Sequence, residues 1–177
     1  MEREILNKLI AWKHRPDRKP LILLGARQVG KTHILKEFGR RQYKYLAYVN
    51  CDNNAMVSDL FAPDYNMERI LLSIGAVTNV PIEPENTLIV FDEIQELPRG
   101  LSSLKYFCEE ARQYHVAVAG SLLGIALHRG ESYPVGKVNT LQMYPMNFEE
   151  FILAKGRQQL ADILKTRNWT MVQGLRN

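Results

Sequence analysis

The chain has 177 residues, 46% of them hydrophobic and 24% charged, with a formal net charge of +4. That length supports one sizeable core, and the balance is ordinary for a soluble globular protein rather than a disordered or fibrous one. No apolar stretch nears the ~20 residues that span a bilayer, and the charged start Met1-Glu2-Arg3-Glu4-Ile5 holds no signal-peptide core.

Two distant cysteines, Cys51 and Cys108, read as reduced core residues of a cytoplasmic protein, and the four histidines show no metal-ligand spacing. Residues 3–13 read as an amphipathic helix with Ile5, Leu6, Leu9, Ile10 and Trp12 on one side. Pro16 and Pro20 bracket the basic linker that follows, so residues 1–19 form a helix-and-linker unit ahead of the main domain. Leu21-Ile22-Leu23-Leu24 is a short buried strand. After it comes GARQVGKT at residues 25–32, then a helix with Ile34, Leu35 and Phe38 on one face and Gly39 as its expected stop.

A second strand is expected at residues 45–50, a helix at 67–74 behind Asn66, and a turn-rich connector at 81–86. Thr87-Leu88-Ile89-Val90-Phe91 is continuously apolar and ends in Asp92 and Glu93, which suits a parallel strand covered on both faces. A helix follows at 101–114, a buried strand at 115–121 and a fifth strand within 137–144. Asn147 and Glu150 form a capping box for a helix that runs to Lys155 and is closed by Gly156, with one more short helix at 158–166. Strands separated by helices make an α/β layered domain with a mainly parallel sheet, here residues 20–156, followed by an extension over 157–177.

GARQVGKT fits the phosphate-loop pattern G-x-x-x-x-G-K-[ST] and stands between a strand and a helix, where that pattern has physical meaning. Gly25 and Gly30 let the amides of Ala26, Arg27, Gln28, Val29 and Lys31 turn inward as an anion nest, and the helix start adds positive potential. Lys31 then reaches the β- and γ-phosphates, and the Thr32 hydroxyl is a ligand for Mg²⁺. Asp92 at a strand end completes the magnesium site, and Glu93 is placed to orient and deprotonate an attacking water. Neighbouring strand residues face opposite ways, so both acids serve one site only if the chain bends after Asp92. Gly25, Asp92-Glu93 and Gly120-Ser121 all end strands, and ligands of such sheets sit at those ends. The GTPase motifs NKxD and DxxG are missing, and an Asp-Glu pair suits hydrolysis better than the guarded chemistry of a small-molecule kinase.

GARQVGKT, FDEIQ at residues 91–95, Gly120-Ser121-Leu122-Leu123-Gly124 and YPMNFEEF at residues 144–151 together resemble one family. It is the prokaryotic AAA-superfamily ATPases that carry a C-terminal domain of unknown function. The resemblance implies a three-layer P-loop NTPase with a five-stranded sheet in the order 5-1-4-3-2. It makes Lys31 and Thr32 Walker A residues and Asp92 and Glu93 Walker B residues, and it puts Ser121 at the polar sensor near the γ-phosphate. The catalytic set is then Glu93, Lys31 and Ser121, the nucleotide-binding set runs from Gly25 through His33, and Thr32 and Asp92 hold Mg²⁺.

Several residues depart from the family pattern. His33 follows the loop where another Thr often stands, Ser121 is shorter than the usual Asn, and Lys137 replaces an Arg in a Gly-Arg-Val segment. Arg27, Arg99 and Arg129 are the cations available as an arginine finger. Family members run well beyond 177 residues, so a partner-binding region is expected past Asn177.

The expected activity is Mg²⁺-dependent ATP hydrolysis coupled to a protein partner or to self-association. The alternative is a switch that binds ATP or ADP and hydrolyses it negligibly. Basic clusters at Lys13-His14-Arg15 with Arg18-Lys19, and at Lys36 with Arg40-Arg41 and Lys44, admit contact with nucleic-acid phosphates, although solvated faces are the plainer reading.

Overall fold

A computed structural model describes residues 4–120 and 134–146 together with residues 148, 150 and 152. Five parallel strands run β1 (Leu21–Leu24), β2 (Tyr45–Asn50), β3 (Thr87–Asp92), β4 (His115–Ala119) and β5 (Asn139–Gln142). They lie in the spatial order β2-β3-β4-β1-β5, which is the expected 5-1-4-3-2 read from the other edge.

Period-two alternation divides the strand side chains between two cores. Ile22, Val49, Ile89, Phe91, Val116 and Val118 face α3 (Met67–Thr78) and α4 (Gly100–Glu110), where Ile70, Ile74, Leu104 and Phe107 meet them. Leu21, Leu23, Leu88, Val90, Ala117 and Ala119 face α1 (Glu4–Lys13) and α2 (Lys31–Gln42), covered by Leu9, Trp12, Ile34, Leu35 and Phe38. The result is three layers, helix over sheet over helix. The central strands β3 and β4 are buried along their whole length, which accounts for their uninterrupted apolar sequence.

The helix ends bring corrections. Gly39 does not stop α2, which continues to Gln42. Its missing side chain serves packing instead, because a Cβ there would stand 2.6 Å from Leu46 Cδ1 on β2. The Asn66 side chain accepts from the Arg69 amide as expected, yet α3 runs a turn further than Ile74 and ends at Asn79 in the left-handed region. The expected helix at 101–114 ends at Glu110, and a turn carries the chain from Ala111 into β4. Asn147 of the expected capping box, the helix at 158–166, Ser121 and Arg129 fall outside the described residues, and of the helix expected after Asn147 only residues 148, 150 and 152 are described, as helical.

Candidate functional site

All strands run the same way, so the carboxyl ends of β1, β3 and β4 open on one edge and bring Gly25, Asp92, Glu93 and Gly120 to it. Gly25 leaves β1 against the end of β5: Met143 N donates to Leu24 O at 2.7 Å, and a Cβ on Gly25 would stand 2.5 Å from Met143 O. Only glycine fits that approach. Gly30 (φ 93°) then caps α2, whose first closed turn is the bond from Ile34 N to Gly30 O.

Lys31 is 7% exposed, and its ammonium donates to Gly25 O at 2.8 Å and Ala26 O at 2.9 Å, folded over the start of its own loop. Burial lowers its pKa, while the nearby Glu93 and Asp92 carboxylates raise it. Ala26, Arg27 and Gln28 form the exposed tip of the loop, and Val29 is half-buried beneath it. The His33 ring turns outward beside Glu37, 3.6 Å away, leaving only its main chain near the loop.

Strand parity explains how Thr32 meets Asp92. Leu88, Val90 and Asp92 share the face of β3 that looks toward α2, and there Thr32 Oγ1 donates to Asp92 Oδ2 at 2.7 Å. Tyr48, a residue the sequence reading passed over, joins them, its hydroxyl donating to the same oxygen at 2.9 Å. Its signal was available: Leu46 and Tyr48 pair with Leu88 and Val90 in the β2–β3 ladder, so Tyr48 shares the α2 side one step before Asp92. Burial and the Asp92 carboxylate push the Tyr48 phenol well above its usual range, so it remains a proton donor. The Lys36 ammonium covers its ring at 3.5 Å from the centroid. Beside this cluster Cys51 is buried, and burial with the two carboxylates pushes its thiol up to about 12.

The required bend is present. Glu93 adopts left-handed backbone (φ 54°, ψ 45°) between β3 and the 3₁₀ turn Ile94–Glu96, so its side chain leaves the strand's alternation. Its amide donates to Ala119 O at 2.7 Å, anchoring the bend to β4. Gln95 Nε2 holds Glu93 Oε2 at 2.5 Å, while Gln95 Oε1 is buried and meets no partner among the described residues. Gln95 was thus quoted in a motif without its role, which is to fix the carboxylate two residues earlier.

Two other candidates have other engagements. Arg99 donates to Ala62 O at 2.8 Å and covers the Tyr65 ring at 4.1 Å, tying α4 to the loop before α3. Lys137 pairs with Glu109 at 2.8 Å just ahead of β5, at the opposite edge of the sheet.

Comparison with curated proteins finds no match. Among solved structures, the Orc1 protein of Aeropyrum pernix in complex with DNA superposes with a TM-score of 0.51 at 19% identity, over 94% of this chain and 47% of that one. The chain therefore spans about half of that protein, and the likeness is one of fold. A family model described as AAA domain matches residues 17–152. With its phosphate loop and parallel sheet in that family's arrangement, the chain belongs to the AAA domain family and contains an AAA-superfamily P-loop ATPase core.

Proposed function

We propose that the chain binds ATP with Mg²⁺ and hydrolyses it, using the energy on a protein partner or on its own assembly. The observation that carries this reading is the meeting of Lys31, Thr32, Asp92 and Glu93 at one sheet edge, where the carboxylates act on the Lys31 ammonium. The loop amides from Ala26 to Lys31 would bind the phosphate oxygens, and Lys31 would exchange its two carbonyl contacts for the β- and γ-phosphates.

The Thr32 hydroxyl and the Asp92 carboxylate are hard oxygen donors 2.7 Å apart, the ligand chemistry Mg²⁺ takes. Among the described residues no three His, Cys, Asp or Glu side chains gather as a metal site, so phosphate and water would supply the remaining ligands. The ion would neutralise charge on the phosphate oxygens. Tyr48 would hold the Asp92 carboxylate in its rotamer. Glu93, fixed by Gln95, would orient a water and accept its proton.

The test compares two variants. Glu93→Gln is expected to bind ATP and turn it over at least about 100-fold more slowly, whereas Lys31→Ala loses both binding and turnover. Unchanged hydrolysis in Glu93→Gln sinks the mechanism.

A second reading draws on Arg99, a candidate finger engaged with Ala62 O and Tyr65. A domain with no finger of its own would act as a switch that holds nucleotide without turnover, or would borrow an arginine from a neighbour. Specific activity that rises with protein concentration supports the borrowed finger, and single-turnover rates near zero at every concentration support the switch.

A further inference from the structure

At the sheet edge opposite the phosphate loop, a concavity of about 700 Å³ opens between the end of α1 and the starts of β3 and β4. Lys13, His14, Arg18, Arg112 and His115 line it, with Glu85 at its exposed rim. The six residues of β3 separate it from Asp92 by roughly 20 Å.

Its cations are held in place by main-chain carbonyls rather than by ion pairs, with Glu85 as the acid at the rim. Arg18 donates to Lys13 O at 3.4 Å and to Arg112 O at 2.9 Å, and Arg112 Nε returns a bond to Arg18 O at 3.0 Å. Lys13 Nζ donates to Gln42 O and sits 4.3 Å from the centroid of the Tyr43 ring. Among the described residues no carboxylate lies within ion-pair distance of any of these three. Arg15, which also lines the concavity, pairs with Asp17; away from it Arg41 pairs with Glu37, Lys44 with Glu83 and Arg69 with Asp64. Each basic cluster is thus neutralised in part, through Arg15 in the first and Arg41 and Lys44 in the second, while Lys13 and Arg18 of the first have no carboxylate in ion-pair range among the described residues. Main-chain carbonyls hold two guanidiniums and an ammonium side by side; burial and Arg112 work against the charge on Arg18, while Tyr43 and Glu85 favour it. Such a group keeps its shape and carries more positive than negative charge.

Behind the cations stands His115, 3% exposed, its Nδ1 bonded to the Tyr43 hydroxyl at 2.7 Å and its Nε2 buried without a partner among the described residues. If the phenol donates to Nδ1, the ring proton resides on Nε2 and one donor is left over. The opposite tautomer strands both the phenol proton and an acceptor, so the first arrangement costs less. His115, a lining residue, therefore carries in that tautomer a buried N–H without a partner among the described residues.

We propose that this concavity binds phosphate groups, presented either by a free phosphate anion or by the backbone of a nucleic acid. The guanidinium forks match phosphate oxygens in geometry, and the open shape admits a chain as readily as a single ion. The site is separate from the phosphate loop and does not depend on ATP hydrolysis.

The test keeps the loop filled with saturating Mg·ADP and titrates the protein with a labelled oligonucleotide and, separately, with inorganic phosphate. Anisotropy reads the first, and the His115 ring resonance in proton NMR reads the second. Two exposed positions are changed: Arg112→Gln, which keeps a donor for Arg18 O, and His14→Glu, which adds an acid. Circular dichroism confirms that both fold. Each is expected to weaken binding about five- to tenfold and to flatten its salt dependence by about one charge. Oligonucleotide binding far tighter than phosphate assigns the site to nucleic acid, and equal affinities assign it to a small anion. Binding of neither probe, or binding that is the same in both variants as in the original chain, overturns the proposal.

Discussion

Thr32 Oγ1 lies 2.7 Å from Asp92 Oδ2, joining the first turn of α2 to the last residue of β3 across 60 positions of sequence. The contact fixes how the phosphate loop sits over the strand-end acids before any ligand is considered. Thr32→Val keeps the shape and removes the hydroxyl. It is expected to cost about 1–2 kcal/mol of stability in urea unfolding, since one hydrogen bond to a charged acceptor is lost. The same variant is expected to weaken Mg·ATP binding about tenfold or more, measured by calorimetry, while Mg²⁺-free ATP binding changes little.

Tyr48→Phe separates positioning from ligation. The ring stays beneath Lys36 and only the bond to Asp92 disappears. The expected result is an ATPase midpoint for Mg²⁺ raised several-fold with ATP affinity nearly unchanged, and a stability loss of about 1 kcal/mol. An unaltered Mg²⁺ dependence would show that Asp92 keeps its orientation without the phenol.

His115 gives the fold a pH dependence with a definite sign. Burial, with Arg18, Lys13 and His14 around it, lowers its pKa from 6.5 to about 3. The unfolded chain therefore takes up this proton near pH 6.5 and the folded chain does not. The stabilisation is complete above pH 6.5 and is lost as pH falls toward 3, by at most about 1.4 kcal/mol per pH unit. Between pH 6.5 and 5 carboxylates contribute little, so urea unfolding in that window isolates the effect. His115→Gln is expected to flatten the slope there, and a slope that persists would place its source elsewhere.

Gly39→Ala tests packing against propensity. Alanine is the better helix former by about 1 kcal/mol, yet its methyl would meet Leu46 Cδ1 at 2.6 Å. A net loss of about 1–3 kcal/mol is expected from overpacking. Adding Leu46→Val, which shortens the opposing side chain, should return much of it, as a double-mutant cycle in urea would show.

The inner strands β1, β3 and β4 were legible in the sequence because they are short, largely apolar runs, whereas β5, Asn139-Thr140-Leu141-Gln142, offered no such signal. The order of the strands came from the family resemblance and could not have come from strand composition. The loop, Asp92 and Glu93 stood out because few residue types perform their chemistry and because each follows a strand. Tyr48 and Gln95 stayed hidden for a different reason. Both act on another side chain rather than on a ligand, so their importance depends on register and on a local bend. The basic linker showed its charge in the sequence, but the concavity that gathers Lys13, Arg18 and Arg112 emerged only when α1, β3 and β4 came together. Gly39 was misread because a glycine at a helix end and a glycine under a neighbouring strand look identical in one dimension.

The tight approach of Gly25 to Met143 O has a mechanical side. The exit of β5 and the entrance of the phosphate loop touch backbone to backbone, with the Met143 amide bonded to Leu24 O. There is no soft side chain between them to absorb a displacement. A displacement at Met143 would therefore bear directly on the backbone at the first glycine of the loop, and a shift of the loop would bear on the exit of β5.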